Sequence, residues 1–151
     1  MHVTARADYA VRAVIELAAR APESATRLEL ADAQDIPGKF LESILASLRR
    51  AGLLDSQRGS AGGYRLSRDA ADVTLADVIR AVEGPLAAVR GMPPEDAAYP
   101  GAARNLTQVW VAVRASMRQV LEATTVADIV SGSLPDHVRA LTERPDSWAR
   151  R

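Results

Sequence analysis

Residues 53–66, LLDSQRGSAGGYRL, limit the possible folds of this 151-residue chain more than any other stretch. Leu53 and Leu54 before the turn, and Tyr64 with Leu66 after it, alternate with polar residues as the two strands of a hairpin do. Gly59, Gly62 and Gly63 supply the backbone freedom of a loop tip and leave no side chain to hold it off another surface. Arg58 stands where strand becomes tip, so its guanidinium can be pushed outward into a narrow groove of negative potential. Read alone, an ordinary surface hairpin with one solvated arginine fits the same residues.

The residues before the hairpin narrow that choice. Thr26 and Glu29 have capping-box spacing, which predicts a helix from Arg27 to about Gln34. Asp35-Ile36-Pro37-Gly38 breaks it. A second helix opens near Pro37, carries Phe40, Leu41, Ile44, Leu45 and Leu48 on one face of a 3.6-residue period, and ends at Gly52. Helix, tight turn, helix and glycine-tipped hairpin in that order make a winged helix-turn-helix, whose second helix enters a major groove. Between residues 36 and 68, six basic residues (Lys39, Arg49, Arg50, Arg58, Arg65, Arg68) stand against two acidic ones (Glu42, Asp55) in a chain of zero net charge. Such side chains gathered on one surface neutralise phosphates. The pI of 6.7 is low for a DNA-binding protein, and a solvated mixed-charge face accounts for the same residues.

The remaining elements are predicted as helices around one long connection. A first helix over about residues 5–20 turns Ala10, Val11, Val14, Ile15, Leu17 and Ala18 inward, a surface too broad for a lone amphipathic helix. Thr74 and Asp77 start another helix, with Leu75, Val78, Ile79 and Val82 inside and Gly84-Pro85 at its end. Residues 84–103 read as a loop with four prolines, a length that usually marks function or disorder. A long helix follows over about 104–123. Leu106, Trp110, Val113, Met117 and Val120 recur along it at spacings of 4, 3, 4 and 3, a coiled-coil seam through which two copies would pair. With Val109 they are the candidate dimer interface. Residues 125–128 begin a short terminal helix, and beyond Gly132 the chain is expected to fray. The expected organisation is a DNA-binding domain at 1–83, a sensing loop at 84–103, dimerisation and terminal helices at 104–132, and a flexible tail at 133–151.

Composition excludes several classes. The chain is 48% hydrophobic, enough for one core and a subunit interface. No apolar run approaches the ~20 residues that span a bilayer and no signal sequence opens the chain, so no membrane role and a cytoplasmic location are expected. It has no cysteine, and its two histidines, His2 and His137, form no metal-ligand spacing, so no metal site is assigned. No nucleophile and base fall into a catalytic set, and no Gly-Lys-Ser/Thr follows the Gly-Gly of the hairpin, so no enzyme is expected.

The N-terminal MHVTARADYAVRAVIELA, the segment DIPGKFLESILASLRRAGLL, the hairpin RGSAGGYRLSRDAADVTLADVIRAVEG and the late TTVADIV together resemble the Rrf-two type of bacterial transcription regulators, over about residues 1–132. That family includes regulators of iron–sulfur cluster assembly, nitric oxide response and cysteine metabolism. The resemblance implies a mainly α winged-helix fold with a two-stranded wing and a long C-terminal dimerisation helix. It also implies a homodimeric regulator, in the first instance a repressor, on double-stranded DNA with a pseudo-palindromic operator. It places Gly38, Lys39, Phe40 and Glu42 at or near the major groove and the Arg58-Gly59 tip at the minor groove. Thr26, Pro37, Ser43, Arg49, Ser60 and Tyr64 complete the candidate DNA contacts. Ser43 and Ser47 fit phosphate contacts or a solvated face, and Phe40 also fits the helix-turn-helix core. Family members that carry a cluster place three cysteines in the segment that here reads GPLAAVRGMPPEDAAYPGAARN, and thiolates are the usual cluster ligands. Asp8, matching a carboxylate ligand of some relatives, cannot hold a cluster alone and reads as a helix-face charge. The expectation is a cofactor-free member, with Tyr99 and Trp110 lining a candidate pocket for a small-molecule effector. A winged-helix module that docks its basic face on an acidic partner protein is the alternative.

Overall fold

The computed structural model describes residues 2–59 and 62–149. Seven helices and one hairpin follow in the order α1 (Ala5–Arg20), α2 (Arg27–Gln34), α3 (Gly38–Arg50), β1 (Leu54–Gln57), β2 (Gly63–Leu66), α4 (Leu75–Glu83), α5 (Leu106–Leu121), α6 (Val126–Ser131) and α7 (Asp136–Thr142). Three threonines start helices by the same device: Thr26, Thr74 and Thr125 each cap with the hydroxyl while Glu29, Asp77 and Asp128 reach back to the cap amide.

Helix α1 is the hub. Its Ala7, Ala10, Ala13, Val14 and Leu17 are buried, and α2, α3, α4, α6 and β2 all pack on it. Small residues on that face let several backbones approach at once. Leu30, Ile36, Leu41, Ile44, Leu45, Leu48, Leu53, Leu54, Val73, Val78 and Val126 complete the core. Helix α6 thus belongs to the winged-helix body although α5 precedes it. The Val126 amide donates to the Val73 carbonyl at 2.8 Å, and the Leu75 amide to that of Thr124 at 3.0 Å.

The hairpin pairs Leu54 with Leu66 and Gln57 with Gly63. A third segment joins it: Ala25, just before the Thr26 cap, exchanges two backbone hydrogen bonds with Tyr64, at 2.9 and 2.7 Å. This contact explains the paired glycines. A Cβ on Gly63 would lie 2.7 Å from the Ala25 carbonyl carbon and oxygen, and one on Gly62 would lie 2.6 Å from the Gln57 carbonyl oxygen. Internal packing therefore requires both, and of the three hairpin glycines Gly59 (φ +108°) alone has open space where its side chain would be. Gly63→Ala is expected to break the Ala25 bridge, because backbone cannot swing aside. It should cost more than about 1 kcal/mol in urea denaturation and speed amide exchange at Ala25 and Tyr64. Unchanged exchange would remove the bridge as the reason for this glycine.

Two features depart from expectation. Residues 84–103 are packed rather than structureless, with 3-10 turns at Pro94–Asp96 and Gly101–Ala103 and with Leu86, Pro94 and Ala97 buried. Beyond Gly132, where the polar composition predicts no element, α7 forms. Val138 is 8% exposed there, and the His137 imidazole Nε2 hydrogen-bonds the Gln119 carbonyl of α5 at 2.8 Å.

Candidate nucleic-acid interface

The first turn of α3 is presented by the turn before it. Pro37 is its N-cap, and Arg27 of α2 donates from Nη1 to the Gly38 carbonyl at 3.2 Å, tying the two helices of the motif together. Lys39, Phe40, Glu42 and Ser43 are exposed, whereas Leu41, Ile44, Leu45 and Leu48 are buried. The inward assignment of Phe40 by helical period is therefore corrected. It lies at the edge of the apolar stripe, 42% exposed, against the Tyr9 ring of α1 at 5.8 Å. Ser47 is corrected as well. It is 6% exposed and accepts hydrogen bonds from Arg6 Nη2 at 3.0 Å and Arg50 Nη2 at 3.1 Å.

Arg6, which sequence reasoning passed over, joins three helices. Its Nε donates to the Val82 carbonyl of α4 at 3.1 Å, and its two terminal nitrogens donate to Ser43 and Ser47 of α3, each at 3.0 Å. The outward face of α3 is thereby linked to the end of α4, where residues 84–103 begin.

Arg58 and Gly59 are exposed at the tip of the wing, and Ser60 lies outside the described residues. Arg49 holds the near side of the wing, donating from Nη1 to Ser56 Oγ at 3.0 Å. Tyr64 packs its half-buried ring against the core, and the Thr26 hydroxyl is engaged with Glu29. Of the six cations between residues 36 and 68, Arg65 pairs with Asp55 at 4.0 Å and Arg68 with Asp77 at 3.3 Å. Lys39, Arg49, Arg50 and Arg58, with Arg6 and Arg27, have no carboxylate partner among the described residues. Unpaired cations thus flank the exposed turn of α3 and the wing tip, with Glu42 the one exposed carboxylate among them on α3, although the chain is neutral.

Helix α5 divides the predicted seam. Thr107, Trp110, Arg114, Met117 and Leu121, at spacings of 3, 4, 3 and 4, face the rest of the chain. Thr107 donates to the Ala97 carbonyl at 2.5 Å, Arg114 pairs with Glu95 at 2.5 Å, and the Trp110 indole nitrogen is buried. Leu106, Val109, Val113, Ser116 and Val120 form a second stripe beside it, with Val109 52% exposed. Trp110 and Met117 therefore belong to the inner stripe.

An apolar cavity of about 230 Å³ lies between α1, α4 and α5, lined in part by Val3, Ala7, Ile79, Leu86, Met117 and Leu121. Tyr99 and Trp110 are not among its lining residues; Tyr99 instead lies under the Arg90 guanidinium at 5.4 Å. Asp8 pairs with Arg12 at 3.2 Å, one turn along α1.

Four carboxylates are held below their ordinary range. The causes are Arg20 and Gln34 at Glu16, the Thr26 amide and hydroxyl at Glu29, the Glu95 amide and then Arg114 at Glu95, and the Thr125 amide and hydroxyl at Asp128. A depressed folded pKa contributes stability that is present above the unfolded value, about 4, and is lost as pH falls through the folded value. The melting temperature should therefore hold to about pH 5 and fall below about pH 4. The fall should be shallower in Glu16→Gln, and an equal slope in that variant would show Glu16 uninvolved.

The sequence model of the Rrf2 family, described as an iron-dependent transcriptional regulator, matches residues 3–132. Iron does not fit the residues present. The chain has no cysteine, and no three His, Asp or Glu side chains among the described residues could hold a metal ion together. Rv1287 of Mycobacterium tuberculosis, which carries the name of an HTH-type transcriptional regulator, is 47% identical over 144 residues, covering 95% of this chain and 89% of that protein. CymR of Bacillus subtilis, an HTH-type transcriptional regulator, is 32% identical over 132 residues, 87% of this chain and 91% of its own. The solved structure of that CymR, described as the global cysteine regulator, superposes with a TM-score of 0.72 at 29% identity, over 87% of this chain and 98% of the other. That of T. potens IscR superposes with the same TM-score of 0.72 at 29% identity, over 88% of each chain. No helix among the described residues is long and apolar enough to cross a membrane. The chain belongs to the Rrf2 family of DNA-binding transcriptional regulators.

Proposed function

We propose that the protein is a homodimeric repressor that binds a pseudo-palindromic operator, with the first turn of α3 in the major groove and the Arg58-Gly59 tip in the flanking minor groove. The observation that carries this reading is the placement of uncompensated cations. Lys39 and Arg58 are exposed on the two elements that the motif presents to DNA, and the Ala25–Tyr64 bridge ties the wing to the start of α2, the first helix of that motif. Glu42, with no ion pair or hydrogen bond among the described residues, is placed to accept from a cytosine amino group. The outer stripe of α5, with Leu106, Val113 and Val120 seven residues apart and Val109 between them, supplies the dimer seam.

The test is selection of duplexes from a random pool, followed by footprinting on the promoter of the protein's own gene. Enrichment of an inverted repeat, with affinity falling steeply with salt, is expected. An acidic partner protein bound by the same face, with no sequence enriched at any salt, would support the interaction-module reading instead.

The protein senses without an iron–sulfur cluster, through a small ligand or partner that acts on residues 84–103. Arg6 offers a route from there, since it joins Val82 at the end of α4 to Ser43 and Ser47 of α3. A ligand shifts that arrangement only through different affinity for two states. Anaerobically purified protein is expected to be colourless and free of stoichiometric iron and sulfide; a coloured, iron-loaded protein would refute this.

A further inference from the structure

We propose that Phe40 reads the 5-methyl group of a thymine in the major groove and that Tyr9 of α1 is the residue that positions it, an inference that rests on the DNA-binding reading above. Phe40 is the third residue of α3, and 42% of it is exposed while the other large apolar residues of that helix are buried. The ring is nevertheless held. Tyr9 lies 5.8 Å away, tilted by 43°, and the Lys39 ammonium stands 5.1 Å from the ring centroid. The Arg12 guanidinium lies 5.6 Å from the Tyr9 ring in turn. Two aromatic rings thus stand side by side, each with a cation over it, and the Phe40 ring is backed by α1 while part of it stays exposed.

Charge decides which surface would meet such a row. Lys39 has no carboxylate partner among the described residues, and Arg12, though paired with Asp8, adds a second cation beside the rings. An apolar protein partner would have to desolvate both cations, whereas phosphates on either side of a groove would attract them. Chemistry then decides what the ring touches. A phenyl group has neither donor nor acceptor, and the apolar group on a base edge in the major groove is the thymine methyl. Cytosine at that position carries only a hydrogen on C5 and leaves the ring without that contact.

The experiment uses the full chain and the duplex it selects from a random pool, with each thymine replaced in turn by deoxyuridine. Removing the read methyl should weaken binding on the order of fourfold per half-site, the effect of about one buried methyl. Phe40→Ala should bind thymine and uracil duplexes equally. Tyr9→Phe should keep the wild-type ratio and Tyr9→Ala reduce it, without altering the salt dependence that phosphate contacts set. Phe40 is exposed, so its truncation should leave the thermal melt in place. A selected duplex indifferent to every uracil, or a Phe40→Ala protein that keeps the ratio, overturns the assignment of Phe40 alone. A pool in which nothing enriches overturns the DNA-binding reading and this inference with it. Specific capture of an apolar peptide by wild type but not by Phe40→Ala, with no effect of uracil, would make the row a protein-docking site and overturn the proposal.

Discussion

Val113→Glu is expected to convert the protein to a monomer and to remove operator binding at concentrations where the wild type is saturated. Val113 stands on the second stripe of α5 between Val109 and Val120, about a quarter turn round the helix from the Arg114–Glu95 ion pair. In a symmetric dimer the same stripe meets itself, so the substitution sets two carboxylates in one apolar interface. Leaving a buried charge without a partner costs about 3–5 kcal/mol, equivalent to about 150- to 4,000-fold in dimer dissociation. Operator affinity falls with it, because a monomer contacts one half-site. The fold should survive, since Val113 is absent from the core that α1 organises. Sedimentation velocity at micromolar concentration reads the result. A Val113→Glu protein that stays dimeric would take this stripe out of the interface, while a wild-type monomer would overturn the homodimer. Trp110→Ala separates the stripes: its indole nitrogen is buried within the chain, so it should lower stability more than association.

What could be read from the sequence follows the range of the interactions concerned. The helix starts at Thr26, Thr74 and Thr125 were legible because a capping box is contained within four residues. The hairpin was legible for the same reason, as its turn and both strands are contiguous. The reason for Gly63 was not, because it answers to Ala25, nearly forty residues earlier in the chain. Helical period correctly assigned Leu41, Ile44, Leu45 and Leu48, and failed at Phe40. A period gives the centre of an apolar stripe but not its width, and the edge residue is decided by Tyr9 on another helix. The same limit split the α5 seam. A spacing of 4, 3, 4 and 3 runs through both stripes, and only contacts with Ala97 and Glu95 show which face is already occupied. Arg6 and Tyr9 gave no local signal, since each acts on residues more than thirty positions away. Helix α7 was hidden by polar composition, though Pro135 before Asp136 is a start signal and Val138 is its buried anchor.

Arg58→Ala is expected to weaken operator binding by about 1–3 kcal/mol, roughly 5- to 150-fold, and to relax preference at A·T-rich flanks while leaving the fold unchanged. Arg58 is exposed, follows the last paired residue of β1, and has no hydrogen bond or ion pair among the described residues, so its removal breaks no internal contact. That sets it apart from Arg49, which holds Ser56, and from Arg65 and Arg68, which pair with Asp55 and Asp77. The tip is mounted from below by the Ala25–Tyr64 bridge, so its approach to the groove is set by the same segment that starts α2. Narrow A·T-rich minor grooves carry enhanced negative potential, and an inserted guanidinium senses groove width rather than a base edge. The signature is therefore a loss that depends on flanking sequence. On a G·C-flanked duplex the wild type and Arg58→Ala should differ little, whereas on an A·T-flanked one the full effect should appear. Arg58→Lys separates shape from charge: it keeps the phosphate attraction and the salt slope, and should recover only part of the flank preference. Equal losses on both duplexes would make Arg58 a phosphate contact, and no loss on either would remove the wing from the interface.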